Sequence, residues 1–215
     1  WGDTMVQALK MEELVTRHSA VMDKYDPEKK VGLYVDEWGV WYDVEPGTEP
    51  SFLYQQNTMR DDVVAAATLN IFHKHADRVR LAAIAQMVNV LQAMILTDKE
   101  KMVLTPTYWV FDLYKPFQGA TFLPVEIDTP QYVVGKSSVP AVTASAATGA
   151  DGLVHVALVN LDPNKPATVT VKLTGSTAKT AKGRVLTGPE MASRNTFEKP
   201  DAVKPGDFKG ATIQA

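Results

Sequence analysis

The chain has 215 residues, 45% of them hydrophobic and 22% charged, with a formal net charge of −3 and a pI near 5.8. Such a length suits one large globular domain or two smaller ones, and the near-neutral balance excludes the basic excess of a nucleic-acid-binding surface. The absence of cysteine excludes disulfide frameworks and thiolate metal sites and fits a reducing compartment, and no apolar run reaches the roughly 18 residues of a membrane span.

The N-terminus, WGDTMVQALK, has neither the basic start nor the apolar core of a signal peptide. It opens without Met and almost inside a helix, as expected of a piece of a longer chain. Asp3 and Thr4 offer N-cap oxygens, and Met5, Leu9, Leu14, Val15, Val21, Met22 and Tyr25 recur at helical spacing until Pro27. A lysine-rich loop, PEKK, leads into a predicted strand over 31–36. The connection 42–58 carries Pro46-Gly47 and Pro50 and fits neither regular element.

Thr58 with Asp61 three residues on has the form of a capping box. Asp61 and Asp62 favour a helix N-terminus, and His73, Lys74, His75 and Arg78 suit its C-terminus. Between them Val63, Val64, Ala67, Leu69 and Phe72 predict a largely buried helix. Residues 79–84 read as a second short apolar strand and 105–117 as another amphipathic helix. Strands separated by helices of this length predict a parallel sheet of βα units over 1–118.

From residue 119 the pattern changes. Leu153, His155, Ala157 and Val159 alternate with Val154, Val156 and Leu158, which predicts a strand apolar on both faces. Val169, Val171 and Leu173 alternate with Thr168, Thr170 and Lys172, the pattern of a half-buried strand. Turn clusters at TGADG, DPNKP and LTG separate these runs, so 119–215 reads as an antiparallel sandwich. The tail from Arg194 is turn-rich, with no closing strand evident, and there is no internal repeat. A parallel array of two strands cannot cover its own sheet, and a closed βα barrel needs about 250 residues. Either these strands pair with another chain or further βα units lie outside this one.

The chemistry concentrates at VGLYVDEWGVWYDVEPG, residues 31–47. Side chains alternate along a strand, so Asp36 and Glu37 are expected on opposite faces and not as one acid/base pair. Strict alternation sets Glu37 on the face of Val31, Leu33 and Val35, at the C-terminal strand end where active sites of parallel sheets lie. The pattern leaves Glu37 open to a catalytic or a salt-bridged role, while Asp36 reads as structural support. Trp38, Trp41 and Tyr42 crowd the strand exit, and flat rings beside a carboxylate suit the C–H faces of a sugar. One or two of them capping the core is the alternative. His73 and His75, two apart on a helix, face different directions and do not form a metal pair. The scattered methionines read as core filling. Phosphate loops, GxSxG elbows and basic-aromatic stripes are absent.

The strings YVDEWGVWYDVEPGT, LYQQNTMRD, HADRV, AQMVNVLQAMILT, LTPTYWVFDLYKPFQGATFLP and HVALVNLDPNKP, in that order, resemble the C-terminal half of glycoside hydrolase family 51 α-L-arabinofuranosidases. Gly39 stands where many members have Asn or Thr. The resemblance implies the last βα units of a (β/α)8 barrel over 1–118, carrying strands seven and eight, followed by a jelly-roll-like β-sandwich over 119–215. It implies retention of anomeric configuration, with Glu37 matching the nucleophile, Trp41 a wall of the arabinose subsite, and Gln86 a glutamine that contacts sugar and nucleophile. His18 and Tyr108 lie in matching strings without an assigned role.

The family's acid/base residue lies in an Asn-Glu pair, and no asparagine here is followed by Glu. The expectation is therefore an incomplete enzyme, inactive alone, whose missing N-terminal barrel segment supplies the proton donor. By analogy the whole protein is a cytoplasmic homo-oligomer, often a hexamer in the family, acting on arabinan- or arabinoxylan-type glycans. It has no cofactor, metal, nucleic-acid or membrane partner. Endoglucanase or xylosidase specificity, or a non-catalytic carbohydrate-binding or assembly fragment, are the alternatives.

Overall fold

The apolar spacing near the N-terminus yields two helices where one was expected. In the computed structural model, which describes residues 1–213, α1 (Gly2–Leu9) and α2 (Met11–Tyr25) are separated at Lys10. Met5 and Val15 turn inward. Asp3 lies in the first turn of α1, and Trp1 holds the N-cap position instead; its indole N–H donates to the Leu161 carbonyl at 3.2 Å. After α2 the Asp26 carboxylate accepts the N–H groups of Lys30 and Val31 and turns the chain into β1 (Leu33–Trp38). That strand begins two residues later than its apolar run, since the Val31 N–H is taken by Asp26 and its carbonyl by Arg78.

The capping box forms as the sequence predicts. The Thr58 N–H donates to Asp61 Oδ2 at 2.6 Å, and α3 (Met59–Lys74) starts there. Helix α3 crosses to β2 (Val79–Ile84), which pairs parallel with β1, so β1, α3 and β2 make one βαβ unit. Arg78 lies beyond the end of α3 and serves a different purpose from the one its position suggested. Only 1% exposed, its guanidinium pairs with Asp23 and Asp26 and donates to the carbonyls of Val31 and Asp26. A buried cation is tolerated only when so paired, and this one ties the end of α2 to the starts of both strands.

The next residues form a hairpin that periodicity did not reveal, β3 (Ile95–Asp98) with β4 (Lys101–Leu104). Its tight turn holds Lys99 at φ 54°. Helix α4 (Pro106–Tyr114) follows with Pro at its start, and one 3-10 turn, Lys115–Phe117, completes the expected helix.

Beyond α4 every strand pair is antiparallel. The strands are β5 (Thr121–Leu123), β6 (Gln131–Val134), β7 (Ser137–Pro140), β8 (Val142–Thr148), β9 (Val154–Asn160), β10 (Gly183–Val185) and β11 (Gly206–Phe208). They form a sheet of order β5-β8-β9, a β6–β7 hairpin and a β10–β11 pair. The strand expected over 169–173 does not form, and Val169 and Val171 are exposed. Alternation alone does not make a strand, since the backbone also needs a partner edge and one face a cover. The tail does contribute a strand, β11, where none was evident. Among the described residues no barrel closes.

The core lies around α3, which packs against β2, β8 and β9 as well as α1, α2 and α4. Ala65, Ala66 and Ala67 let these neighbours approach closely. A polar network fastens the helix to the antiparallel sheet and to α4. Asn70 Oδ1 accepts from the hydroxyls of Ser145 and Tyr114, both at 2.8 Å, and its Nδ2 donates to Thr143 Oγ1 at 3.2 Å. With the Ser145 proton directed at Asn70, His73 Nδ1 must be the donor in its 2.9 Å contact to Ser145. Burial lowers the His73 pKa from 6.5 to about 4, so the ring is neutral at pH 7.

Replacement of Asn70 by Ala takes one bond each from the Ser145, Tyr114 and Thr143 hydroxyls, of which Ser145 keeps His73 and Tyr114 keeps the Ala66 carbonyl; the expected loss is about 1–3 kcal/mol of stability, read as a lower urea midpoint. The His73 imidazole takes up a proton near pH 6.5 when unfolded but only near 4 when folded. Unfolding therefore binds a proton between those values, and stability falls as pH drops from 6.5 towards 4. The difference in midpoint between wild type and His73→Gln, followed across that range, should track this one group; a constant difference would refute it.

Candidate active site

The two carboxylates sit where the β1–β2 ladder is irregular. Val35 pairs with Ala82 and Trp38 with Ile84, so Asp36 and Glu37 together face the single residue Ala83. This extra residue is a β-bulge, which re-aims the side chains beyond it. Leu33 and Val35 pack against the helical core, and Trp38 is buried in that same core, edge-on to Phe72 at 5.3 Å and stacked on Phe111 at 6.2 Å.

Strict alternation would have put Glu37 on the Leu33–Val35 face, beneath the helices. The bulge passes that face to Trp38 and leaves Glu37 and Asp36 both exposed. The expected sharing of a face by Glu37, Leu33 and Val35 is thus corrected.

The neighbouring strand brings Gln86 to the same end. The Ala85 N–H donates to the Trp38 carbonyl at 2.9 Å, and Gln86 follows, exposed, at the C-terminal end of a strand parallel to β1. Glu37, near the end of β1, and Gln86, two residues past β2, therefore lie at the same end of the parallel pair. Trp41, three residues past β1, is 68% exposed. Trp38, by contrast, is a core residue, 5% exposed. His18 is exposed on α2, and Tyr108 on α4 packs edge-on to Trp109 at 5.2 Å. An open cavity of about 430 Å³ between α1, α2 and residues 38–42 has Trp41 in its lining, but neither Glu37 nor Gln86.

The exit loop is held by residues whose importance the sequence did not announce. The Tyr42 hydroxyl lies 2.9 Å from Thr4 Oγ1, and the Arg60 guanidinium sits 3.7 Å above its ring. Burial raises the Tyr42 pKa. Arg60 in turn donates to the Asp61 carboxylate, whose pKa burial nevertheless raises. The Val40 N–H donates to Gln92 Oε1 at 3.0 Å and the Tyr42 N–H to Gln55 Oε1 at 2.9 Å. Gln92 sits in the apolar run VLQAMIL, and a lone amide in such a run was the available signal, since buried polar groups are retained with partners.

Among the described residues no group of three His, Asp or Glu is arranged to hold a metal ion. His73 turns to Ser145 and His75 to Glu12. No described helix is long and apolar enough to cross a membrane. The arrangement offers two exposed carboxylates, Asp36 and Glu37, one exposed amide and one exposed indole at the C-terminal mouth of a parallel strand pair, a set suited to hydroxyl-bearing ligands.

Residues 36–215 match the model of the α-L-arabinofuranosidase C-terminal domain. An intracellular exo-α-L-arabinofuranosidase of Bacteroides ovatus is 47% identical over 211 residues, which cover 98% of this chain and 41% of that protein. The crystal structure of the family 51 arabinofuranosidase of Xanthomonas axonopodis pv. citri superposes with a TM-score of 0.96 at 57% identity, covering 98% of this chain and 43% of that one. That of the thermostable family 51 enzyme of Thermotoga petrophila gives 0.79 at 26% identity, over 94% and 44%. The chain thus spans less than half the length of the relatives it matches. With the C-terminal domain matched over most of its residues and its fold shared from end to end, the chain belongs to the glycoside hydrolase family 51 α-L-arabinofuranosidases.

Proposed function

We propose that the chain contributes the nucleophile half of a retaining exo-α-L-arabinofuranosidase. The observation that carries the reading is Glu37, freed by the bulge at the end of β1, with Gln86 following β2 at the same end of the parallel pair. In this reading Glu37 attacks the anomeric carbon as the carboxylate while a general acid protonates the departing oxygen. The resulting glycosyl ester is then hydrolysed by water that the same acid/base residue activates. Two inversions at the anomeric carbon give net retention. Gln86 hydrogen-bonds the sugar and orients Glu37, and the Trp41 ring covers an apolar face of the arabinofuranose.

Retention by this route needs the two carboxyl groups about 5–5.5 Å apart, so the acid/base glutamate belongs to a further segment of the barrel. On this reading β1, α3 and β2 are barrel strands seven and eight with their crossover. Residues 1–118 then close the barrel, while 119–215 form a C-terminal sandwich. The reading includes that N-terminal barrel segment, a homo-oligomeric assembly, and terminal arabinofuranosyl groups of arabinan- or arabinoxylan-type glycans as substrate. The Bacteroides relative is named an intracellular enzyme, and a cytoplasmic location is carried over on that ground.

The test is Glu37→Ala in the protein that contains the whole barrel. Turnover of an aryl α-L-arabinofuranoside should fall by at least about 10³-fold, and azide should restore release of the aryl group with formation of the inverted glycosyl azide. Near-wild-type turnover in the variant removes Glu37 from the nucleophile's role.

A further inference from the structure

We propose that Gln55 and Gln92 are positioning residues of the sugar site, gripping the chain on either side of Trp41. The proposal rests on the reading of Trp41 as the site wall. Residues 39–42 have left the β1 ladder, so their N–H groups have lost their strand partners. In a buried setting each such group must find another acceptor or be left at a cost. Gln92 Oε1 takes the N–H of Val40, and Gln55 Oε1 takes that of Tyr42. Trp41 lies between these two bonds and is the residue whose side chain reaches solvent.

The grip is anchored from below. Gln92 is 0% exposed, and its Nε2 donates to the Asp61 carbonyl at 2.6 Å and to Thr107 Oγ1 at 3.2 Å. One side chain thereby joins the exit loop to the first turns of α3 and α4. Gln55, 2% exposed, makes a single side-chain bond among the described residues, the one to Tyr42. Gly39 gives Gln92 room. A Cβ there would lie 3.0 Å from Gln92 Oε1, and its φ of +128° is one that L side chains rarely adopt.

A wall residue contributes to binding only in the fraction of molecules where it is in place, so loosening it raises the apparent dissociation constant by that fraction. The experiment uses Gln55→Met, Gln92→Met and Trp41→Ala, alone and in pairs, in the protein that contains the whole barrel, with an aryl α-L-arabinofuranoside. Each methionine variant should lower kcat/KM about fivefold to tenfold, the worth of one net hydrogen bond, chiefly through KM. The same substitution should have little further effect once Trp41 is Ala, because the grip then has nothing to hold.

Undiminished methionine effects in the Trp41→Ala background, or methionine variants that match wild type, would overturn the proposal while leaving the wall intact. An unchanged kcat/KM for Trp41→Ala alone would instead overturn the reading of Trp41 itself. Gln92 also holds α3 and α4, so its replacement risks unfolding. Gln55 bonds only the loop and carries the test alone if that happens.

Discussion

A helix with protein on every side has no solvent to satisfy its polar groups, and α3 is in that position. Its N-terminal N–H groups are met by the Thr58–Asp61 capping box, and its C-terminal half by Asn70 and His73 reaching Ser145 and Thr143 on β8. It packs against β2 of the parallel pair and against β8 and β9 of the antiparallel sheet. The helix therefore touches both parts of the fold, and its low amphipathicity follows from that. Ala65, Ala66 and Ala67 keep it slender where layers press from two directions, and the aromatic rings of Phe72 and Tyr114 fill the wider spaces near its end.

The site inherits its geometry from this helix. Trp38 is pulled down onto Phe72 of α3, and a residue added to β1 before it absorbs the change of parity. The first turn of α3 supplies the Asp61 carbonyl that seats Gln92 and the Arg60 guanidinium that covers Tyr42. Burial at the helix start has a cost, since Asp62 is enclosed and its pKa is pushed well up by desolvation. That cost accompanies a helix start packed tightly enough to serve as a platform.

What the sequence disclosed were features whose signal is local. The capping box needs only Thr58 and Asp61, and β2 only an apolar run between His75 and Gln86; both lie where expected. Helix α4 announces itself with Pro106 at its first turn. Glu37 and Trp41 stood out because a carboxylate and indoles at a strand end are unusual. The features that escaped depend on partners distant in the chain. Nothing in YVDEW marks a bulge, because the rings that Trp38 meets, Phe72 and Phe111, lie far along the chain. Val169 and Val171 alternate as a strand should, but a strand is a relation to a neighbouring edge. Arg78 looked like a helix-end cation and is instead the buried partner of Asp23 and Asp26 across some fifty residues.

The chemical identity of the residues under the loop follows from the same constraint. An active site at the end of a strand gains freedom to aim its side chains because the ladder has stopped there, and it loses the carbonyls that held the backbone. Replacement acceptors must come from side chains. A carboxylate at position 92 would accept the Val40 N–H but would oppose its second oxygen to the Asp61 carbonyl, and it would carry an unpaired charge into a dry interior. An asparagine is one methylene shorter. A glutamine accepts at one end and donates at the other without charge, so Gln92 can close the gap between a loop N–H and a helix carbonyl. Glu37 then remains the exposed carboxylate at that strand end, alongside Asp36.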